Sequence, residues 1–148
     1  FGAISGTGYG PEEYAETVFA DSPVCSISID SSAFRHILTR YPEVALQAVD
    51  AFSSRLSLAY EMVNRLGNSP VESRIAFVLL RLADKLGYRW EEKTLIYAPL
   101  SREDVASMAA TTVESCSRIM SGFRRRGLID AGRGWVAIAD RSGLKELV

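Results

Sequence analysis

Two helix-start signals lie ten residues apart in this chain, at Ser101 and Thr111. Each hydroxyl residue is followed three positions later by an acid, Asp104 in the first case and Glu114 in the second. Such pairs cap a helix reciprocally, because the hydroxyl accepts from a free backbone N–H while the acid accepts from the N–H of the cap. The first helix therefore has room for about two turns before a turn at Ala109-Ala110. This spacing predicts a helix-turn-helix motif.

The apolar spacing indicates how these two helices pack. Val105 and Met108 are expected to face the core from the first helix. The second helix should run to about Arg126 and end at Gly127. A cysteine in its inward stripe is expected to be a small buried residue and not a reactive thiol. The stripe, at helical spacing, comprises Cys116, Ile119, Met120 and Phe123.

A β-hairpin is predicted directly after the second helix. Segments 128–131 and 135–138 carry apolar residues on either side of Gly132-Arg133-Gly134. Two short strands joined by a tip of this composition are typical of a hairpin. A hairpin in this position is the wing of a winged helix-turn-helix.

The second helix has an outer face on which a lone apolar residue, Val113, stands among polar and charged ones. A helix laid into the major groove contacts base edges with this region. Arginine can donate two hydrogen bonds to guanine, glutamate can accept from cytosine, and valine can contact a thymine methyl group. The alternative is a solvated face with a Glu114–Arg118 ion pair worth about 0.3–0.5 kcal/mol. The predicted base-reading residues are Val113, Glu114, Ser117 and Arg118.

Phosphate contacts are expected around this face. Basic and hydroxyl side chains bind the DNA backbone and supply affinity, but little sequence information. Arg126 belongs to the same basic run, and cations at the end of a helix also favour the helix dipole, so part of this cluster can be structural. The predicted phosphate contacts are Ser101, Thr111, Thr112, Ser121, Arg124, Arg125 and Arg133.

A narrow apolar stripe marks a long helix earlier in the chain, from Pro42 to Leu66, with Gly67 as its end. Its apolar residues recur in alternating steps of four and three, which is the coiled-coil spacing. A helix packed on the core of its own domain would show a wider stripe, so we predict a helix–helix seam and a homodimer. The seam comprises Ala45, Val49, Phe52, Leu56, Ala59, Val63 and Leu66.

Two elements are predicted before the long helix. Segment 24–29 alternates apolar and polar residues, as in a strand. Asp30 should cap a short helix over 31–40, and His36 on that helix is expected to be a surface histidine. The residues of this helix expected to face inward are Phe34, Ile37 and Leu38.

A core helix, a loop and a strand are predicted between the long helix and the helix-turn-helix. The core helix has Ser69 as its cap, in a capping box completed by Glu72, and it ends at Gly87. Segment 88–92 should be an exposed loop, and segment 94–98 should be a strand.

Composition argues against several other classes of protein. Residues 1–69 hold four basic and eight acidic residues, and residues 70–148 hold 13 and ten, so the C-terminal part favours a polyanion partner. The two cysteines and the single histidine lack metal-ligand spacing, so we predict no metal site. We find no nucleophile–base pair or phosphate loop that would indicate an enzyme. No apolar run reaches the roughly 18 residues of a membrane span, and no signal peptide is recognisable.

The order of these elements is similar to that of the CRP/FNR family of bacterial transcription factors, named after the cyclic-AMP receptor protein and the fumarate–nitrate regulator. The resemblance covers the whole chain and is most specific from Leu100 to Ile129. It implies a cytoplasmic, nucleoid-associated protein with an α+β fold in three parts. These are a remnant of a β-roll sensor domain over 1–40, a coiled-coil dimerisation helix over 41–67 and a winged helix-turn-helix DNA-binding domain over 68–148.

The outer-face residues match one branch of this family. The fumarate–nitrate regulator branch carries the motif V-E-x-x-S-R, here from Val113 to Arg118, whereas the receptor-protein branch has arginine in place of Val113. The resemblance implies homodimers on inverted repeats of TTGAT-type half-sites. Glu114 and Arg118 would then read a G·C pair, with Val113 and Ser117 near thymines.

The sensor side departs from the family's cyclic-nucleotide pattern. Binding members have glutamate after the glycine of an FG-type motif and an Arg-Ser/Thr pair, where this chain has Ala3 and Tyr14-Ala15. No basic residue lies between Phe1 and Phe34, and a cyclic phosphate without a cation is hard to stabilise. Cyclic AMP is therefore not expected, and the effector is unknown.

Other partners are implied by position in the family pattern. Cys25 resembles a cysteine that completes an iron–sulfur cluster, whose other ligands would precede Phe1; a buried packing role is the alternative. An iron–sulfur cluster or haem would thus need residues outside this chain. Segment 88–92 lies where activators of the family contact RNA polymerase, which is an expected partner beside double-stranded DNA and a second copy of the chain. The competing hypothesis is a ligand or redox sensor whose winged helix binds another protein.

Overall fold

A computed structural model describes Ala20, residues 23–98 and residues 100–148. These residues form six helices and one four-stranded antiparallel sheet, so the predicted α+β class is confirmed. The chain divides into two compact units, Phe1–Ala59 and Tyr60–Val148. None of the described helices is both long enough and apolar enough to cross a membrane.

The first helix, α1 (Ser31–Arg40), begins at its predicted cap. The Asp30 carboxylate accepts a hydrogen bond from the Ala33 backbone N–H at 2.8 Å. Hydrogen bonds from the Ser32 hydroxyl and then from Ala33 hold the pKa of Asp30 below its ordinary value. His36 is exposed, as predicted. The residues expected to face inward are half-buried: Phe34, Ile37 and Leu38.

Segment 23–30 has no regular structure, so the predicted strand over 24–29 is wrong. Its side chains are exposed, that of Ile27 to 93%. A strand forms by pairing its backbone N–H and C=O groups with a neighbour, and none of the described residues pairs with this segment. Alternating apolar and polar residues fit a strand but do not supply that neighbour.

The long helix, α2 (Pro42–Asn68), passes through Gly67, so the predicted end at that glycine is wrong. A glycine inside a helix costs about 1 kcal/mol relative to alanine, which does not break it. Pro70 prevents continuation, because proline has no N–H to donate and disfavours a helical backbone at the preceding residue. The Ser69 N–H makes the last bond, to the Arg65 carbonyl at 2.9 Å.

The third helix, α3 (Val71–Leu86), is central to the second unit, as predicted. Pro70 occupies its cap position and no side chain caps it, so the predicted Ser69–Glu72 capping box is wrong. The backbone of Pro70 is still extended, with ψ of 154°, and the helix therefore starts after it. Gly87 ends α3 as expected, with its N–H bonded to the Ala83 carbonyl. The buried residues of α3 are Ser73, Ile75, Ala76, Phe77, Val78, Leu79, Leu80 and Ala83.

The sheet consists of β1 (Gly87–Trp90), β2 (Lys93–Tyr97), β3 (Ile129–Gly132) and β4 (Trp135–Ile138), which lie in the order β1-β2-β4-β3. Segment 88–92, predicted as a loop, instead forms most of β1 and the turn into β2. No residue of β1 is buried, so the strand lacks the buried apolar positions that would identify it in the sequence. The expectation that this segment is exposed is right, since Tyr88 and Trp90 are exposed. β3 and β4 form the predicted wing hairpin.

One face of the sheet packs on α3 and on the second helix of the predicted motif, α5 (Val113–Arg125). The first helix of the motif, α4 (Arg102–Met108), packs on α3 and α5. Ile96, Ile129 and Ile138 from three strands are fully or almost fully buried there. A last helix, α6 (Arg141–Lys145), was not predicted. The Asp140 side chain caps it by accepting from the Gly143 N–H at 2.9 Å.

Candidate nucleic-acid interface

The start of α4 is the predicted capping box. The Asp104 carboxylate accepts from the Ser101 backbone N–H at 2.7 Å and from its hydroxyl at 2.6 Å, and the Asp104 N–H donates to that hydroxyl at 3.1 Å. The bond from the Ser101 hydroxyl, followed by the backbone bond, lowers the pKa of Asp104. Val105 is buried as predicted, but Met108 is 44% exposed, so its inward placement is wrong. Ala106 and Ala109 pack inward instead.

The turn between α4 and α5 is held by a residue that the sequence did not single out. Arg74 on α3 donates to the Ala109 carbonyl at 2.9 Å, the Ala110 carbonyl at 3.1 Å and the Ser69 carbonyl at 3.0 Å. Ala110 adopts a positive φ of 46°, an uncommon conformation for a non-glycine residue. No local pattern signals this contact, because Arg74 lies 35 residues from Ala109 in the chain.

The cap of α5 is Thr112, so the prediction of Thr111 as the cap is wrong. The Thr112 hydroxyl accepts from the Ser115 N–H at 3.2 Å. Thr111 belongs to the turn, where its N–H donates to the Ala106 carbonyl at 2.9 Å. Two adjacent threonines fit the cap equally well by residue type, and the length of the turn decides between them.

The inner face of α5 is buried as predicted. Cys116, Met120 and Phe123 are at most 1% exposed, and Ile119 is half-buried. Burial raises the pKa of the Cys116 thiol, against a smaller opposing effect of the positive charge on Arg102. The thiol is therefore protonated and packed in the core, as expected.

The outer face of α5 brings the predicted base-reading residues together at the start of the helix. Val113 is 41% exposed, Glu114 and Arg118 are exposed, and Ser117 is half-buried. The Glu114–Arg118 ion pair considered above does not form among the described residues. Both side chains are thus directed to solvent without being joined to each other.

The predicted phosphate contacts lie around this face and differ in their exposure and in their interactions with the rest of the fold. Arg126 is engaged in the fold, since it pairs with Glu72 at 2.5 Å and lies 5.9 Å from the Phe123 ring centre. The hydrogen bond and the charge of Lys93 lower the pKa of Asp130, and the charge of Arg124 adds a smaller effect in the same direction. Most predicted contacts are exposed and one, Thr111, is half-buried. The exposed ones are Ser101, Thr112, Ser121, Arg124, Arg125 and Arg133.

The wing places Arg133 at the tip of its hairpin. Gly134 follows with a positive φ of 78°, which glycine adopts without strain. A Cβ at Gly132 would clash with the Trp135 indole ring, so a larger residue there would force the ring to move. A cleft of about 410 Å³ lies between the wing and the start of α4, lined in part by Ser101, Arg102 and Arg133.

The predicted seam on α2 is largely exposed. In the first unit Ala45 is half-buried, whereas Val49, Phe52 and Leu56 are 41–58% exposed and Ala59 is also exposed. In the second unit Val63 and Leu66 are 63% and 42% exposed. Met62, which lies off the seam, packs against the core of the second unit.

The predictions for the sensor side concern Cys25, which the structure describes, and three residues that lie before Ala20. Cys25 is exposed, so its alternative role as a buried packing residue is wrong. Within the described ranges, no group of three or more histidine, cysteine, aspartate or glutamate residues could hold a metal ion. Ala3, Tyr14 and Ala15 lie outside the described residues.

The helix-turn-helix part of the chain matches a known family. A family model for the Crp-like helix-turn-helix domain matches residues 73–147. The chain is 29% identical, over 86% of its length, to 52% of the transcriptional regulatory protein btr of Bordetella pertussis. It is 25% identical, over 97% of its length, to 60% of the CRP-like cAMP-activated global transcriptional regulator of Mycobacterium tuberculosis. The chain spans about half the length of the first curated relatives it matches.

A solved structure supports the same fold. A transcriptional regulator of the CRP/FNR family from Thermus thermophilus superposes with a TM-score of 0.64 and 28% sequence identity. The match covers 72% of this chain and 54% of that one.

Proposed function

Because the chain belongs to the CRP/FNR family of transcriptional regulators, we propose that it binds inverted-repeat TTGAT-type DNA sites as a homodimer. The observation that carries this proposal is the division of α5 between two faces. Cys116, Met120 and Phe123 anchor the helix in the core, while Val113, Glu114, Ser117 and Arg118 stand together at its exposed N-terminal half.

Each outer-face residue has a base that suits it. Arg118 donates two hydrogen bonds to guanine O6 and N7, and Glu114 accepts from cytosine N4. Val113 packs on a thymine methyl group, which explains an apolar side chain on an exposed face. Ser117 lies near a neighbouring thymine. Since Glu114 and Arg118 do not pair with each other, neither must first break an ion pair to reach DNA.

Affinity comes from the phosphate contacts on both sides of α5. Arg124, Arg125 and Arg133 are exposed cations, and Ser101, Thr112 and Ser121 are exposed hydroxyl donors. The cleft between Ser101 and Arg133 lies where the wing and α4 would meet the backbone. Thr111 is half-buried in the turn before α5, and we assign it a phosphate contact as well.

A homodimer forms through α2. The exposed apolar residues at alternating steps of four and three, among them Val49, Phe52, Leu56 and Val63, match a coiled-coil seam. We assign 41–67 to dimerisation, 68–148 to DNA binding and 1–40 to the remnant of the sensor domain. The two-fold symmetry of such a dimer suits inverted repeats with half-sites about one helical turn apart.

The effector is left unassigned. The Mycobacterium tuberculosis relative is named as activated by cyclic AMP. In this chain, however, there is no basic residue between Phe1 and Phe34 that could pair with a cyclic phosphate. No group of three or more candidate metal ligands in the described part of the chain includes Cys25, so an iron–sulfur cluster or haem would depend on residues outside that part. We propose no enzymatic activity, because the relatives named above are transcriptional regulators.

RNA polymerase is the second partner in this proposal. The hairpin turn at Glu91-Glu92 and the exposed Tyr88 and Trp90 on β1 form the surface that we assign to it. This assignment rests on the position of segment 88–92 in the chain.

A mobility-shift assay tests the base-reading proposal. A TTGAT-N4-ATCAA duplex should be shifted at lower protein concentration than a scrambled duplex, and Arg118→Ala should abolish this preference. Arg81→Ala is the matched control, since Arg81 is an exposed arginine on α3, outside the proposed interface. Equal binding of both duplexes by the unmodified chain would contradict the proposal.

A further inference from the structure

Arg74 binds three backbone carbonyls from two separate segments. Its Nη1 donates to Ser69 O, its Nε to Ala109 O and its Nη2 to Ala110 O, at 2.9–3.1 Å. No carboxylate forms a salt bridge with Arg74 among the described residues. The planar guanidinium presents its donors in a fixed fork, so these bonds constrain both segments at once.

Both segments are the C-terminal ends of helices. Ser69 directly follows α2, and Ala109 is the C-terminal cap of α4. Such ends carry carbonyls without helical partners and a partial negative charge, which a cation stabilises. Backbone bonds already use the carbonyls of Ala106 and Ser107, leaving those of Ala109 and Ala110 for Arg74. One guanidinium therefore caps two helices.

The two capped ends differ in function under the proposal above. Ser69 continues the part of α2 that carries the seam residues Val63 and Leu66, and Ala110 lies two residues before Thr112, the cap of α5. We propose that Arg74 is a positioning residue that sets the orientation of α5 relative to the end of the dimerisation helix. This inference rests on the proposed homodimer and its use of α5 to read DNA.

The consequence is control over the spacing of half-sites. In a dimer, the relation of each α5 to its own α2 determines the distance and angle between the two recognition helices. Inserting one base pair between the half-sites rotates them by about 34° relative to each other. A rigid link should reject such a site, whereas a loosened link should tolerate it.

The experiment compares the chain with Arg74→Gln and Arg74→Lys on inverted repeats with spacers of three, four and five base pairs, and on a scrambled duplex. Arg74→Gln should lose about tenfold in affinity for the four-base-pair site, a loss similar to that of one mismatched base pair. Its affinities for the three spacers should become nearly equal. Binding to scrambled DNA should not change, because the phosphate contacts remain. Arg74→Lys should restore part of the preference, since an ammonium group can still bind some of the carbonyls.

Two control variants separate positioning from general effects. Arg81→Gln removes the same charge from the same helix at an exposed position, and Ile138→Val weakens the core from β4 without altering the turn. Both should keep the spacing preference of the unmodified chain. Hydrogen exchange without DNA provides a second readout: the amides of Ala110, Thr111 and Ser115 should exchange faster in Arg74→Gln.

The outcomes distinguish the two proposals. If the unmodified chain prefers the four-base-pair site and a folded Arg74→Gln variant keeps the same preference, the role of Arg74 is refuted while the proposed function stands. If the unmodified chain shows no preference over scrambled DNA, the proposed function fails and the spacing role of Arg74 fails with it. Hydrogen exchange then decides whether Arg74 caps the turn, and unchanged exchange would refute that as well.

Discussion

Side chains on and near α5 differ in what they can contribute to recognition. Glu114 and Arg118 lie on the outer face at the start of the helix, where base edges would be within reach, whereas Arg124 and Arg125 lie in its last turn. Base contacts discriminate between sequences, and phosphate contacts add affinity that depends on salt. We assign Arg126 neither a base contact nor a phosphate contact, because it pairs with Glu72.

This division predicts different effects for two substitutions that each change one charge. Glu114→Gln should reduce discrimination at a single base pair of the half-site, by about 1–3 kcal/mol. Arg124→Gln should weaken binding to all sequences alike and reduce the slope of log K against log salt by about one for each phosphate that is no longer neutralised. Fluorescence anisotropy with single-base-pair variants of the site, over a range of salt concentrations, measures both. A uniform loss in Glu114→Gln would contradict its role in base reading.

Most of the helices and the wing could be predicted from local signals, and the remaining features depend on partners distant in sequence. The Ser101–Asp104 box, the inward stripe of α5 and the Gly-Arg-Gly tip each act within a few residues, and the structure contains all three. Two predicted caps are each one residue too early, because the cap is Thr112 and not Thr111 in α5, and Pro70 and not Ser69 in α3. β1 was missed because it buries no side chain of its own and depends on pairing with β2. Helical periodicity predicts which residues of α5 face outward, whereas the Arg74 contact joins residues 35 and 36 positions apart.

The capping box of α4 should make part of the stability dependent on pH. The pKa of Asp104 is lowered in the folded chain from a reference value of 3.8. Its contribution to stability is therefore fully present above that reference pH and is lost as the pH falls through the lowered folded value. Asp104→Ala removes the acid of the capping box and should destabilise the chain by about 0.3–1.5 kcal/mol at neutral pH. Urea unfolding at several pH values should show this difference shrinking below pH 3.8.

Glu103→Ala provides the matched control for that experiment. Glu103 is an exposed acid in the same first turn of α4, but it is not part of the capping box. A loss in Glu103→Ala as large as that in Asp104→Ala would show that charge near the helix end, and not the box, accounts for the effect.

The stripe on α2 predicts where a dimer can be disrupted. Leu56→Glu places a charge in the proposed seam, and burying an unpaired carboxylate is unfavourable, so the chain should become monomeric. Ser57→Glu adds the same charge at the next residue, which is exposed but lies off the stripe, and it should leave the dimer intact. Sedimentation equilibrium measures both masses. A dimer that persists in Leu56→Glu would exclude this seam.

Under the proposed function, DNA recognition needs two copies of the chain as well as the fold of each copy. A single α5 offers a short set of base contacts, and two copies related by a two-fold axis double the site that is read. The chain spans about half the length of the first curated relatives it matches, and the residues we assign to sensing precede α2. The described residues thus account for how DNA would be read, and the signal that controls this reading would come from the sensor side.

Selection of bound sequences from a random duplex library, using the unmodified chain, tests whether a homodimer reads DNA through the outer face of α5. We predict enrichment of an inverted repeat with TTGAT-type half-sites separated by four base pairs. Selection with Arg118→Ala should lose the conserved guanine of each half-site. An unenriched library, or an enriched motif without two-fold symmetry, would contradict the claim that a homodimer reads DNA through the outer face of α5.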